Sequence, residues 1–99
     1  MSFEWNDAKD KQNIEKHGIR FEEAKRVFND PFAITREDCR FDYGEIRKVT
    51  LGEIPLSTLA TSIVVVVVHT ERDGHTRIIS ARKANKKERA YYEQNKLLG

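Results

Sequence analysis

Apolar residues recur at helical spacing in the first third of the chain, crowd into a run of valines past its middle, and become sparse again near its end. Asn6 can cap a helix by accepting a hydrogen bond from a free N–H of the first turn. Asp7 and Asp10 then sit at the positive end of the helix dipole, with Lys16 and His17 at the negative end. Gly18 suits the left-handed residue that closes such a helix, so a helix is expected over Asp7–His17. A second, about 21–29, puts Phe21, Ala24, Val27 and Phe28 on one face, and Asp30-Pro31 stops it because the residue before proline avoids the α region.

Strands follow. They are expected over 32–37, 45–52, 61–70 and 75–82. The third contains five consecutive valines, whose branched side chains favour a pleated strand, and apolar residues on both its faces place it centrally under cover from two sides. Asp73-Gly74 signals a hairpin into the fourth. Period two would set Ile78, Ser80 and Arg82 on one face of that strand and Arg77, Ile79 and Ala81 on the other. A last helix starts from Asn85, whose spacing to Glu88 is that of a capping box, with Ala90, Tyr91 and Gln94 as its inward stripe. The order ααββββα is an α+β arrangement, two N-terminal helices and a C-terminal helix packed on a four-stranded, mainly antiparallel sheet.

Composition narrows the functional classes. Ninety-nine residues with no repeat or linker are expected to form a single domain, 1–99. The longest apolar run, Ile63–Val68, is far short of the roughly 20 residues a membrane helix needs. Met1–Asp7 has no basic segment leading into an apolar stretch, so no signal peptide is expected. Cys39 is the single cysteine, which rules out an intramolecular disulfide and a cysteine metal cluster and suits the cytoplasm. Charge is unevenly spread: residues 72–99 hold eight basic and three acidic groups, net +5, leaving −3 for the rest of a +2 chain. The C-terminal third is thus suited to a polyanion.

Taken together, Phe3-Glu4-Trp5, Lys16-His17-Gly18-Ile19, Phe21-Glu22-Glu23-Ala24, Val27-Phe28 and Asp30-Pro31 resemble the opening of the BrnT toxins. So do Tyr43-Gly44-Glu45 with Arg47, His69-Thr70-Glu71-Arg72, and Arg77-Ile78-Ile79-Ser80-Ala81-Arg82 followed by Lys86-Lys87-Glu88-Arg89. One departure is Arg20, where a short capping residue such as serine would be expected. The resemblance implies a RelE-like fold, a ribonuclease that arrests translation, and a BrnA-like antitoxin whose ribbon-helix-helix region binds DNA.

RNA can be cut by its own 2′-OH, given a base, a proton donor for the leaving oxygen, and cations beside the phosphorane. Arginine suits the last task because its planar fork binds phosphate twice and stays charged. Arg72, Arg77 and Arg82 on one hairpin are the first candidates, with a solvated face or salt bridges to acidic helices as the plain alternative. Glu45 can act as the base or orient an arginine, and Ser80 can hydrogen-bond a phosphate. His17 has the chemistry of a general base, but its place at a helix end already explains it; His69 and His75 are weaker candidates. Lys83, Lys86, Lys87 and Arg89 form a basic stripe suited to an RNA backbone. Tyr91 and Tyr92 can stack bases, although helical position argues for Tyr91 in the core. The histidines are dispersed, Glu37-Asp38 has no histidine beside it, and neither metal nor cofactor is expected. A nucleic-acid-binding module that blocks translation without chemistry, or an interaction protein with a face for an acidic partner, would share the basic surface. RNA substrate and antitoxin are the expected partners, with the ribosome a further candidate.

Overall fold

The computed structural model describes residues 2–38, 44–56 and 61–99; Cys39, Tyr43 and part of the 54–61 connection lie outside them. The elements run β1 (Phe3–Glu4), α1 (Asp7–His17), α2 (Phe21–Ala24), a 3-10 turn (Lys25–Asn29), β2 (Ile34–Asp38), β3 (Arg47–Pro55), β4 (Ser62–Arg72), β5 (His75–Lys83) and α3 (Lys86–Leu98). The α+β class holds, but among the described residues the sheet has five strands and is mixed, ordered β1-β5-β4-β3-β2, with β1 parallel to β5. Two residues of β1 are too few to leave a periodic signal. The expected second helix tightens after its first turn into the 3-10 segment.

Local caps explain the ends. The Asn6 side chain accepts from the Lys9 N–H, and Gly18 closes α1 at φ +69°. Asn85 and Glu88 complete a reciprocal capping box on α3. Arg20 supplies no side-chain cap to α2. Asp10 of α1 does so in its place, its Oδ1 accepting the Phe21 N–H at 2.9 Å.

The sheet has two covered faces. On one, α1, α2 and the 3-10 turn enclose Ile19, Phe21, Ala24, Val27, Ile54, Val65, Val67, Ile78 and Ala81. On the other, α3 lays Tyr92 and Ala84 over Leu51, Val64 and Val66. Tyr92, not Tyr91, is the core tyrosine: Glu88, Tyr92 and Lys96 form the covered stripe at helical spacing, and Ala90, Tyr91 and Gln94 are exposed.

Simple alternation along β5 fails at one place. Val68 pairs with Ser80 and His69 with Ile78, so Ile79 is an extra residue, a bulge. Paired residues of neighbouring strands share a face. Arg77, opposite Thr70, therefore lies on the same face as Ser80 and Arg82, while Ile78 and Ala81 both enter the helix-covered core.

Asn13, buried, and Asp30, half-buried, join the layers. Asn13 is 5% exposed; it donates to the carbonyls of Ile19 (2.9 Å) and Ala81 (2.8 Å), and its Oδ1 accepts the Ala81 N–H at 3.0 Å. It thus stands in for a neighbouring strand along β5. Asp30 accepts from the N–H groups of Phe32 (2.9 Å) and Glu53 (2.8 Å) and from the Tyr92 hydroxyl at 2.5 Å. Burial raises the Asp30 pKa, but these bonds and Lys96 outweigh it and hold the carboxyl below its usual range. Gly52 allows the approach, since a Cβ there would fall 2.7 Å from Val27. Asn13→Ala is expected to cost about 2–4 kcal/mol, because it strands buried backbone groups on two elements. The urea midpoint measures it; an unchanged midpoint would show that water satisfies Ala81 equally well.

Candidate functional site

Register turns the open part of the α3 face into rows. Glu4, Arg77, Thr70, Arg47 and Asp38 form one row across all five strands. Ser80, Val68, Val49 and Arg36 form the next, and Arg82, Val66, Leu51 and Ile34 the third. Beyond the first row, Arg72 pairs with His75 beside the hairpin turn. Successive rows are roughly 7 Å apart, two residues along a strand.

Glu45 lies on a bend just before β3, not on the strand. Gly44 enters this bend at φ +73°, and the Thr70 hydroxyl donates to the Ile46 carbonyl at 2.6 Å. The carboxylate meets Arg72 Nη2 at 2.9 Å and Arg47 Nε at 3.7 Å. Arg77 lies 3.7 Å from Glu4 on β1. The hydrogen bond from Arg72 holds the Glu45 carboxyl below its usual range, its own desolvation opposing, and the charges of Arg72, Arg47 and Arg77 add to the lowering. Glu45 in turn raises the pKa of Arg72. Arg72 and Arg47 thus pair with one carboxylate that stays ionised, and Arg77, paired with Glu4, adds only its charge, an arrangement able to receive a phosphodiester.

The other candidates are spread more widely. Arg82 lies two rows from Arg77, roughly 13 Å along the strand, and forks onto Glu88 with bonds of 2.8 and 2.9 Å. That contact keeps the Glu88 carboxyl low, against its desolvation, with the Asn85 N–H and the Arg82 charge assisting. Ser80 and Lys87 line a groove with Arg82. Lys83 pairs with Val65 of the helix-covered layer, so it faces away from the groove. Arg89 bonds the Ala84 carbonyl at 3.3 Å, and Lys86 is exposed. The basic stripe therefore does not form one surface. Arg36, Arg47 and Glu4 belong to the rows, yet strand periodicity alone does not select them. Only the cross-strand register does.

With that geometry in view, the sequence matches a family described as "Ribonuclease toxin, BrnT, of type II toxin-antitoxin system" over residues 5–88. The chain belongs to the BrnT family. Its family activity is RNA cleavage, and a type II system pairs such a toxin with a protein antitoxin. No curated protein matches the sequence. Among the described residues, no helix of this BrnT-family chain is long and apolar enough to cross a membrane.

The three histidines separate clearly. His17 closes α1, and His75 is exposed across from Arg72. His69 points into the opposite layer, 3% exposed, edge-on to Phe28 with ring centroids 4.8 Å apart. Its Nε2 lies 2.7 Å from Thr50 Oγ1, which in turn lies 2.8 Å from Thr35 Oγ1. Burial pushes the His69 pKa down to about 4. An unfolded imidazole titrates near 6.5, so between about 6.5 and 4 the unfolded chain binds more protons. Stability should therefore be full above about pH 7 and fall by up to about 3 kcal/mol as pH drops through that window. Urea melts from pH 7.5 to 4.5 should show this slope, and His69→Gln should flatten it; equal slopes would assign the effect to other groups.

Proposed function

We propose that this chain cleaves RNA without a metal, by attack of a ribose 2′-oxygen on the adjacent phosphorus, and so inhibits translation. The observation that carries this reading is the gathering of Arg47, Arg72 and Arg77 on one sheet face, with Glu45 on the adjoining bend pairing with Arg72 and Arg47. The guanidinium groups would bind the non-bridging phosphate oxygens and offset the charge that grows on them in the transition state. As the new P–O2′ bond forms, the P–O5′ bond breaks, leaving a 2′,3′-cyclic phosphate and a 5′-hydroxyl. One proton leaves the 2′-OH and another arrives at the departing 5′-oxygen.

Glu45 serves this reading better as a positioning residue than as the base. A carboxylate held low by arginine is a poor proton acceptor near neutrality. It holds Arg72 by a hydrogen bond and draws Arg47 by charge instead. His75, exposed opposite Arg72 on the same face, is the histidine placed to take the proton. Arg82 and Lys87 flank the next stretch of the strand, with Ser80 between the rows as a hydroxyl partner. Lys83, Lys86 and Arg89 would then contribute only the general attraction of a basic end for RNA. In the cytoplasm, a BrnA-like antitoxin with a ribbon-helix-helix region would hold this single toxin domain silent.

Labelled RNA incubated with the partner-free protein in excess chelator should yield ends carrying a 2′,3′-cyclic phosphate; the assay is repeated on translating ribosomes. Arg72→Ala and Arg77→Ala are each expected to lower kcat by about 100- to 1,000-fold. His75→Ala should lower kcat by about 100-fold or more. Glu45→Gln should cost less than either arginine. RNA left intact in both settings, or cleavage that needs added metal, would remove this mechanism.

A further inference from the structure

The phosphate row borders a groove that its chemistry does not use. The groove measures about 600 Å³, within the range of small-ligand sites. Its floor is Ile34, Val49, Leu51, Val66 and Val68, the apolar part of the second and third rows. Tyr91 of α3 forms one wall. It is 46% exposed, and the Arg36 guanidinium lies 5.5 Å from its ring centroid. Lys87 and the Arg82–Glu88 ion pair stand along the groove as well, while Ser80 stands at the junction with the arginine row.

An apolar floor with an aromatic ring and a planar cation beside it suits a flat, weakly hydrated group. A floor of this kind next to arginines set for phosphate suits a group joined to phosphate by a short link. A nucleobase meets both requirements. The row spacing, roughly 7 Å, is about the reach of one extended nucleotide.

We propose that this groove is a nucleobase subsite, in which a base flanking the scissile phosphate stacks against Tyr91 over Val49 and Val68. The assignment rests on the reading of the arginine row as the phosphate site. Tyr91 adds affinity through the face of its ring, which every base can use, so its hydroxyl is dispensable. Arg36 holds the ring in place through its contact with the ring face. The carboxylates at the margin fit a base better than a second phosphate: Asp38 and Glu37 line the groove too, and each can accept from an exocyclic amino group.

The test uses a fluorescent hexanucleotide of 2′-O-methyl RNA, which lacks the attacking hydroxyl, and inorganic polyphosphate as a base-free polyanion. Binding is followed by anisotropy, directly for the hexanucleotide and by competition for polyphosphate. Tyr91→Ala should weaken the hexanucleotide by about 5- to 150-fold and leave polyphosphate within about twofold. Tyr91→Phe should restore the hexanucleotide, because the ring remains. Arg72→Ala should weaken both probes. Tyr91 is exposed, so its variants should melt as the parent does. Hexanucleotide affinity indifferent to Tyr91, while Arg72→Ala still weakens it, overturns the base subsite alone; a groove shaped for a segment of the antitoxin would give that result. Loss of both probes in Tyr91→Ala in equal proportion would overturn it as well. A parent protein that binds neither probe would overturn the base subsite and the phosphate row together.

Discussion

The extra residue in β5 decides which side chains share a surface. Without the bulge, the pairing of Ser80 with Val68 would run on to set Ile79 opposite His69 and Ile78 opposite Thr70. Ile78, now 1% exposed in the core, would turn onto the groove face, and Arg77 would turn beneath the helices. Either move is costly, since one bares a large apolar side chain and the other buries a charge. The hydrophobic requirement at Ile78 and Ala81 thus enforces the bulge, and the bulge delivers Arg77 to the row of Arg47 and Thr70. A constraint of folding thus sets the face of a residue proposed to bind phosphate.

Ion pairs on this face have little to do with stability. Arg72 and Glu45 are both accessible to solvent, and water screens an exposed pair of that kind so that it adds little to stability. Their effect is on geometry. Arg47, Arg72 and Arg77 carry like charges within one small area, and Glu45 lowers the repulsion while its hydrogen bond orients Arg72. An arriving phosphate would meet cations already oriented, so little reorganisation remains for the reaction itself. Arg82 behaves differently. Its fork is taken by Glu88, whose Oε1 also accepts the Asn85 N–H at 2.8 Å. The same carboxylate therefore caps α3 and ties it to β5.

The pattern of the sequence located all the long elements, because each carries its own local reason. Asn6 and Gly18 bound α1, Asp73-Gly74 turns the hairpin, and Asn85 with Glu88 starts α3. Its failures share a cause. The pairing of β1, the cap that Asp10 gives to α2, and the face of Arg77 all depend on contacts between elements, which no window of neighbouring residues contains. Candidate residues follow the same division. Arg72, Arg77 and Glu45 stood out by type and did come together, whereas Arg82 was separated from them by two rows that counting along the chain does not reveal. Arg36 and Arg47 became visible only when β2, β3 and β4 were placed in register.

Tyr91 and Tyr92 show how closely the two kinds of information are joined. Tyr92 is fixed by its hydrogen bond to Asp30, which also anchors the backbone of β3 at Glu53. Burial raises the pKa of that hydroxyl and the bond to Asp30 raises it further, so it remains a donor throughout the neutral range. One residue along a helix is a turn of about 100°, so fixing Tyr92 in the core leaves Tyr91 directed along the groove. Shifting α3 by one residue would exchange them, burying a ring with no acceptor at Asp30 and withdrawing the other from Arg36. The position of the groove wall is therefore set from the interior, through a carboxylate that never reaches the groove.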